Sequence, residues 1–263
     1  MKNFLYSTAI LVLFACSGPT ETGRNNTKES DEQRITPYQI SFEKFTQKEE
    51  GCQGEDCTKV DIQIVSLNAG DSAVCAKVNQ SVISEYHEMV RSRLSESINS
   101  NSVEVLAGKF LEGYEMFKAE FPEDPSTWYL EISAEESSLL GDSVYCVNLS
   151  VEDYLGGAHG NRGNTLLTYS LTNGKLLDLH KMYAKAIKPI AEKKFRTKYE
   201  IAEGSSLNEA GFIFPEGSFV LPENIGYSQT GITLIYNPYE VAPYAMGSTV
   251  IDISFEEIES IEN

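Results

Sequence analysis

The sequence predicts an α+β fold with mixed and antiparallel sheets, packed helices and two subdomains, and three observations carry the prediction. Short segments alternate apolar and polar residues with the period of half-buried strands, as at Val60, Ile62 and Ile64. Longer segments repeat apolar residues at helical spacing, as at Val103, Leu106, Phe110, Tyr114, Phe117 and Phe121. The two kinds come in blocks, strands then helices then strands, and not as the strand–helix–strand series of a parallel sheet. With 263 residues, 41% of them hydrophobic, the chain has material for one large core or two smaller ones.

Residues 1–15 read as a secretion signal. Lys2 gives the positive start and Ala9 to Phe14 the apolar run, while Leu13-Phe14-Ala15-Cys16 resembles the lipobox cut by bacterial lipoprotein signal peptidase. The run is too short to span a bilayer as a mature helix. The alternative is an ordinary secretory signal with a chance cysteine at its end. On the first reading Cys16 carries the lipid, palmitate included, and the protein is membrane-anchored in the cell envelope, periplasmic or surface-facing. Ser17 after the cysteine favours the outer membrane if the host is Gram-negative. Residues 16–34 form the lipidated tether: beyond Cys16 they hold no bulky apolar side chain to offset the entropy of ordering, and as a coil they reach about 20–25 Å.

A first subdomain is expected over 35–149, a second over 150–257, and a tail over 258–263. In the first, strands at Ile40 and Phe42 and at Val60 to Ile64 flank a cysteine loop. A helix follows over roughly 72–98, started by Asp71 or Ser72, with Cys75, Val78, Val82, Tyr86, Met89 and Val90 at helical spacing. The next helix begins near Val103 and stops at Pro122. Trp128, Leu130 and Ile132, then Tyr145, Val147, Leu149 and Val151, give strands on either side of a turn at Gly141-Asp142. In the second subdomain Thr165 to Leu171 is a strand, and Asn173-Gly174 makes a hairpin turn, the dipeptide accepting positive φ. A helix spans about Met182 to Tyr199, with Pro189 as a kink. The remainder is β: Ile232, Leu234 and Tyr236, a loop of Pro238, Tyr239, Pro243 and Tyr244, then Val250 to Phe255.

Asp and Glu total 39 against 21 Lys and Arg, a net charge of −18 that becomes −19 once Lys2 leaves with the signal. Such a surface repels nucleic acid and anionic head groups and attracts cationic proteins or peptides, although solubility alone is a plainer account of it. Besides Cys16 the cysteines are Cys52, Cys57, Cys75 and Cys146. An even number in an oxidising compartment allows two disulfides in three connectivities. Cys52 and Cys57 sit in a polar glycine-containing loop able to close locally, leaving Cys75 with Cys146. The chain-entropy estimate is about 2 kcal/mol for the short loop and about 4 kcal/mol for the long one. Metal binding is the weaker reading, because the three histidines lie far from the cysteines in sequence.

No complete catalytic pattern appears, and no cofactor motif. His87-Glu88 begins like a zinc-protease helix, but Arg91 stands where the second histidine is needed, so His87 reads as a surface or boundary residue. The carboxylate pairs Glu135-Glu136 and Glu256-Glu257 point apart and fit a solvated face. The unusual stretch is Gly156-Gly157-Ala158-His159-Gly160-Asn161, directly after a strand. Its glycines allow tight turns, and His159 is either a base, ligand or hydrogen-bond post, or a structural residue.

That segment, with the following strand, Asn173-Gly174-Lys175, Leu177-Asp178-Leu179 and the helix, resembles the C-terminal extracellular domain of the RsiV family. Ile235 to Gly247, with Tyr236, Pro238, Tyr239, Pro243 and Tyr244, is similar to that family's pattern before its last strand. The resemblance covers about 150–257, and 35–149 resembles the PdaC-type domain that precedes it. What the resemblance implies is a non-catalytic module: in the family the pair is the outer part of a membrane-spanning anti-sigma factor that binds lysozyme, or precedes a separate deacetylase domain. This chain has no sigma-binding segment and no deacetylase motif, so only the fold and a binding role carry over.

The expectation is therefore a non-enzymatic, lipid-anchored envelope protein that binds a cationic cell-wall-active protein such as lysozyme, or peptidoglycan, and no nucleic acid. Its binding residues are Tyr236, Tyr239, Pro243 and Tyr244, with His159 nearby. The alternatives are an envelope hydrolase around His159, His180 and Asp178, and a structural lipoprotein without a dedicated ligand.

Overall fold

The computed structural model describes residues 37–54, 56–94, 98–134 and 136–262. The expected signal, Cys16, the tether, Ile35 and Glu135 lie outside the described residues.

Two long antiparallel strands, β1 (Tyr38–Lys48) and β2 (Lys59–Ala69), open the fold, and the loop between them is closed by the expected Cys52–Cys57 disulfide. Ile40 and Phe45 both pack on the core while Phe42 between them is 46% exposed, because twist turns the inner face of the ribbon. Then α1 (Ser72–Arg91) starts on Asp71, whose Oδ1 accepts from the backbone N–H of Ala73 and Val74 at 2.8 and 3.0 Å. It ends at Arg91 rather than near 98. α2 (Val103–Glu120) is capped by Ser102 and stops just before Phe121-Pro122, since a residue preceding proline is kept out of the helical region.

Four strands complete a six-stranded sheet: β3 (Tyr129–Ser133), β4 (Ser138–Leu140), β5 (Val144–Tyr154) and β6 (Asn161–Ser170). Its order is β1-β2-β3-β5-β4, with β6 also on β5. The β2–β3 pair is parallel and the others antiparallel, so the sheet is mixed. Pairing of β2 with β3 ends at Ile62, and side chains of α1 take over the exposed backbone. The Tyr86 hydroxyl accepts from Val65 N–H at 3.0 Å and donates to the Gln63 carbonyl at 2.7 Å. The Asn79 amide bonds both the N–H and C=O of Leu67, at 2.8 and 2.9 Å. Buried backbone groups left unpaired would each cost a hydrogen bond.

The second part comprises α3 (Leu179–Lys198), a three-stranded antiparallel sheet of β7 (Asn224–Tyr227), β8 (Gly231–Tyr236) and β9 (Thr249–Ser254), and α4 (Phe255–Glu262). Phe195 of α3 is its hub, meeting Phe212, Phe214, Phe219 and Tyr236 at ring distances of 4.8 to 6.0 Å, all edge-on.

Four expectations need correction. The boundary at 149/150 falls inside β5; because β6 pairs with β5 along its whole length, the first core runs to Leu171 and the second begins at Leu177. The described part of the expected 258–263 tail is no tail, since α4 continues through Glu262 and Ile258 is buried in the second core. His87 is buried where α1 faces α2, and burial, then Arg91, pushes its pKa down. At 172–175 the chain reverses as expected: Gly174 takes positive φ (70°), Tyr169 and Leu176 form an antiparallel bridge, and Ser170 N–H donates to the Lys175 carbonyl at 2.9 Å and Leu177 N–H to the Thr168 carbonyl at 2.7 Å. Cys75 and Cys146 are both free. On β5, Tyr145, Val147, Leu149 and Val151 face the helices, so Cys146 points to the opposite face of the sheet from α1. The Cys75 thiol instead donates to the Ala69 carbonyl at 2.9 Å.

Candidate functional site

The two sheets meet along the outer edge of β6, and side chains stitch the seam. Leu166 N–H donates to Asn224 Oδ1 at 3.3 Å, and Tyr227 N–H to Thr168 Oγ1 at 3.3 Å. Asn237, at the end of β8, accepts from Asn164 N–H at 2.8 Å and donates to the Asn164 carbonyl at 3.0 Å. This last pair fixes the β8–β9 loop beside the β5–β6 loop.

The glycine-rich segment forms the second of these loops. Gly156 and Gly157 take φ of 83° and 93°, conformations open to glycine, and the Tyr154 hydroxyl donates to the Gly157 carbonyl at 2.9 Å. A Cβ on Gly160 would stand 2.6 Å from the Asp153 carbonyl oxygen, so the loop returns to β6 only with glycine there. His159 is thereby held out at the surface.

Across the seam, the ring of His159 stacks on Tyr244 at 4.3 Å and 17°, and Tyr239 lies 5.5 Å from Tyr244. His159 Nδ1 is 2.8 Å from the Gly160 carbonyl, an acceptor, so this nitrogen carries the proton. Nε2 then accepts from the Tyr239 hydroxyl at 3.3 Å. Arg162 of β6 sits over the Tyr244 ring at 5.8 Å, a cation–π contact. Tyr239 is 59% exposed and its backbone has φ 70°, held by a hydrogen bond from its N–H to the Ala242 carbonyl at 3.1 Å. A left-handed conformation at a bulky residue is strained and clusters at functional sites.

Beside these rings the sheet presents an acidic row. Register places Glu131 opposite Glu152 and Glu152 opposite Arg162, lining a shallow pocket of about 260 Å³. The Tyr129 hydroxyl donates to Glu152 at 3.3 Å and its ring stacks on Tyr154 at 6.4 Å. Burial first, then Glu152, raises the Tyr129 pKa. Beneath, Asp153 is buried and paired with Arg93 at 3.0 Å.

Of the expected binding residues, His159, Tyr239 and Tyr244 come together. Pro243 is exposed and opens the short 3₁₀ turn Tyr244–Met246 that presents Tyr244. Tyr236 does not belong: it shares the inner face of β8 with Ile232 and Leu234, is 1% exposed, and donates to the Val220 carbonyl. Tyr129, Glu131, Glu152, Tyr154, Arg162 and Asn237 are additions; for all but Asn237, which follows β8, alternation on the polar faces of strands was the available signal. The hydrolase trio finds no common cleft in its contacts. His180 Nε2 binds the Pro222 carbonyl at 2.7 Å, and Asp178 Oδ1 caps α3 at Lys181 N–H, 2.9 Å. The one grouping of potential metal-ligand side chains among the described residues is Glu49, Cys52 and Cys57, and its two sulfurs are bonded to each other.

No curated protein matches the chain. Solved structures share its fold, two DUF3298 family proteins among them. A DUF3298 family protein from Pseudomonas aeruginosa PAO1 is 18% identical with a TM-score of 0.58, covering 85% of this chain and 94% of that one. A DUF3298 family member from Bacteroides fragilis NCTC 9343 is 21% identical with a TM-score of 0.61, covering 86% and 93%. Residues 176–256, the span that builds the second core, match the family described as "Protein of unknown function (DUF3298)", so this chain carries a DUF3298 segment within a fold that DUF3298 family proteins share.

Proposed function

We propose that the chain is a non-enzymatic, lipid-anchored envelope protein, RsiV-like in its second part with a PdaC-type partner domain before it, that binds a cationic cell-wall-active protein of lysozyme type. The observation that carries this reading is the surface ring cluster of exposed His159 and Tyr239 with half-buried Tyr244, beside Glu131 and Glu152. Arg162 over Tyr244 is an internal example of how the cluster takes a guanidinium, and a partner's arginine or lysine finds the exposed Tyr239 ring and the glutamates. Tyrosines supply rigid, amphipathic anchors at interface hot spots. The net charge of −18 steers a basic partner toward the surface and raises association rate more than affinity. His159 serves as a ring platform, because both of its nitrogens are engaged by neighbours.

The test is retention on immobilised lysozyme, with peptidoglycan as a second matrix. Binding that weakens with added salt, together with no turnover of muropeptide or ester substrates, is the expected result. Turnover lost in His159→Ala would replace this reading with the hydrolase.

A further inference from the structure

The acidic chain hides a basic face. α3 carries Lys181, Lys185, Lys188, Lys193, Lys194, Arg196 and Lys198 against one carboxylate, Glu192. A third of the chain's 21 cations therefore lie on one 20-residue helix, in a protein of net charge −18. At the surface the segregation is complete: the exposed residues of α3 are Lys181, Met182, Lys185, Lys188, Pro189, Lys193, Thr197 and Lys198, so every exposed ionisable side chain on it is a lysine.

Of the carboxylates near the helix, Glu200 and Glu203 line the surface beside Lys193 at its C-terminal end, and the others are engaged. Glu192 pairs with Arg196 at 2.8 Å, Glu257 with Lys194 at 2.9 Å, and Asp178 caps the first turn. Lys198 donates to the Val250 carbonyl at 3.1 Å. Lys181, Lys185, Lys188 and Lys193 have no ion pair among the described residues. Two large apolar side chains stand among or beside them, Met182 and Leu176, each 52% exposed. Lysines around apolar tips on a surface helix are the composition of an interfacial helix. The net negative charge does not cancel this face, because the Debye length at physiological ionic strength is about 8 Å, so a surface approaching α3 feels the nearest charges.

We propose that the exposed face of α3 docks on an anionic phospholipid surface. Tyr38, near the start of the described chain, donates its hydroxyl to the Leu171 carbonyl at 3.1 Å, at the end of β6 where the chain turns into α3. The described chain therefore begins beside the segment that leads into α3. Such docking deepens the envelope reading but does not depend on the lipid at Cys16.

The test uses residues 17–263, which lack that lipid; both cores lie wholly within the retained residues. Sedimentation with phosphatidylcholine vesicles containing about one third phosphatidylglycerol is expected, with release by salt and no binding to pure phosphatidylcholine. Changing the four unpaired lysines to Gln together is expected to lower partitioning on the order of 1,000-fold, and changing them to Arg to retain it. Circular dichroism checks that the Gln variant is folded. No binding of the unaltered protein, equal binding by the folded Gln variant, or retention by duplex DNA without vesicle binding would each overturn the proposal. Lysozyme binding measured on the Gln variant stays unchanged if the ring-cluster site is separate, so the two readings fail independently.

Discussion

Tyr239 combines a strained backbone with an exposed ring, and the combination separates folding from function. Its φ of 70° costs about 1–2 kcal/mol for a residue with a Cβ, while its 59% exposure means that little burial is gained in return. Tyr239→Gly is therefore expected to raise the melting temperature by a few degrees while weakening partner binding. A thermal melt in which the variant is clearly less stable would show that the ring holds the loop together. The cysteines give a second residue-level outcome. Burial pushes the Cys146 thiol up to about 12, so Cys146 is expected to resist alkylation until the protein unfolds, whereas the partly exposed Cys75 is expected to label in the native state. Peptide mapping that found a Cys75–Cys146 bridge would refute the strand parity on which this rests. Both that parity and the burial of Tyr236 were legible in the alternation itself: Cys146 is out of step with Tyr145 and Val147, and Tyr236 is in step with Ile232 and Leu234.

Elements were readable where a period ran long enough, and unreadable where the reason was non-local. α1, α2 and α3 follow from apolar spacing and from their caps at Asp71, Ser102 and Asp178. β4 has three residues and β7 four, too few for a period to show. The side chains that complete β2, Tyr86 and Asn79, look in sequence like one more core residue and one stray polar residue on α1. Tyr86→Phe is expected to leave Val65 N–H and the Gln63 carbonyl without their partner and to cost about 1–3 kcal/mol in denaturant unfolding. Asn237→Ala is expected to cost a similar amount and also to weaken binding, because it frees the loop carrying Tyr239 and Tyr244 from β6. An Asn237→Ala protein with unchanged stability and affinity would mean that the seam positions nothing.

At the scale of the molecule, two cores meet at one seam, and the candidate site takes residues from both sides of it: His159 and Arg162 from the first sheet, Tyr239 and Tyr244 from the second. Sequence placed His159 near the Tyr239–Tyr244 loop but not the contact that joins them, which depends on Asn164 and Asn237, 73 positions apart. Charge is segregated on the same scale, with carboxylates beside the rings and lysines along α3. The central claim is that the seam cluster binds a basic partner. Calorimetric titration of a purified basic lysozyme into the unaltered chain and into Tyr239→Ala and Tyr244→Ala tests it most directly. The account predicts salt-sensitive binding that each substitution weakens by about 1–2 kcal/mol with the fold intact; equal affinity in all three proteins, or no binding to any of them, would contradict it.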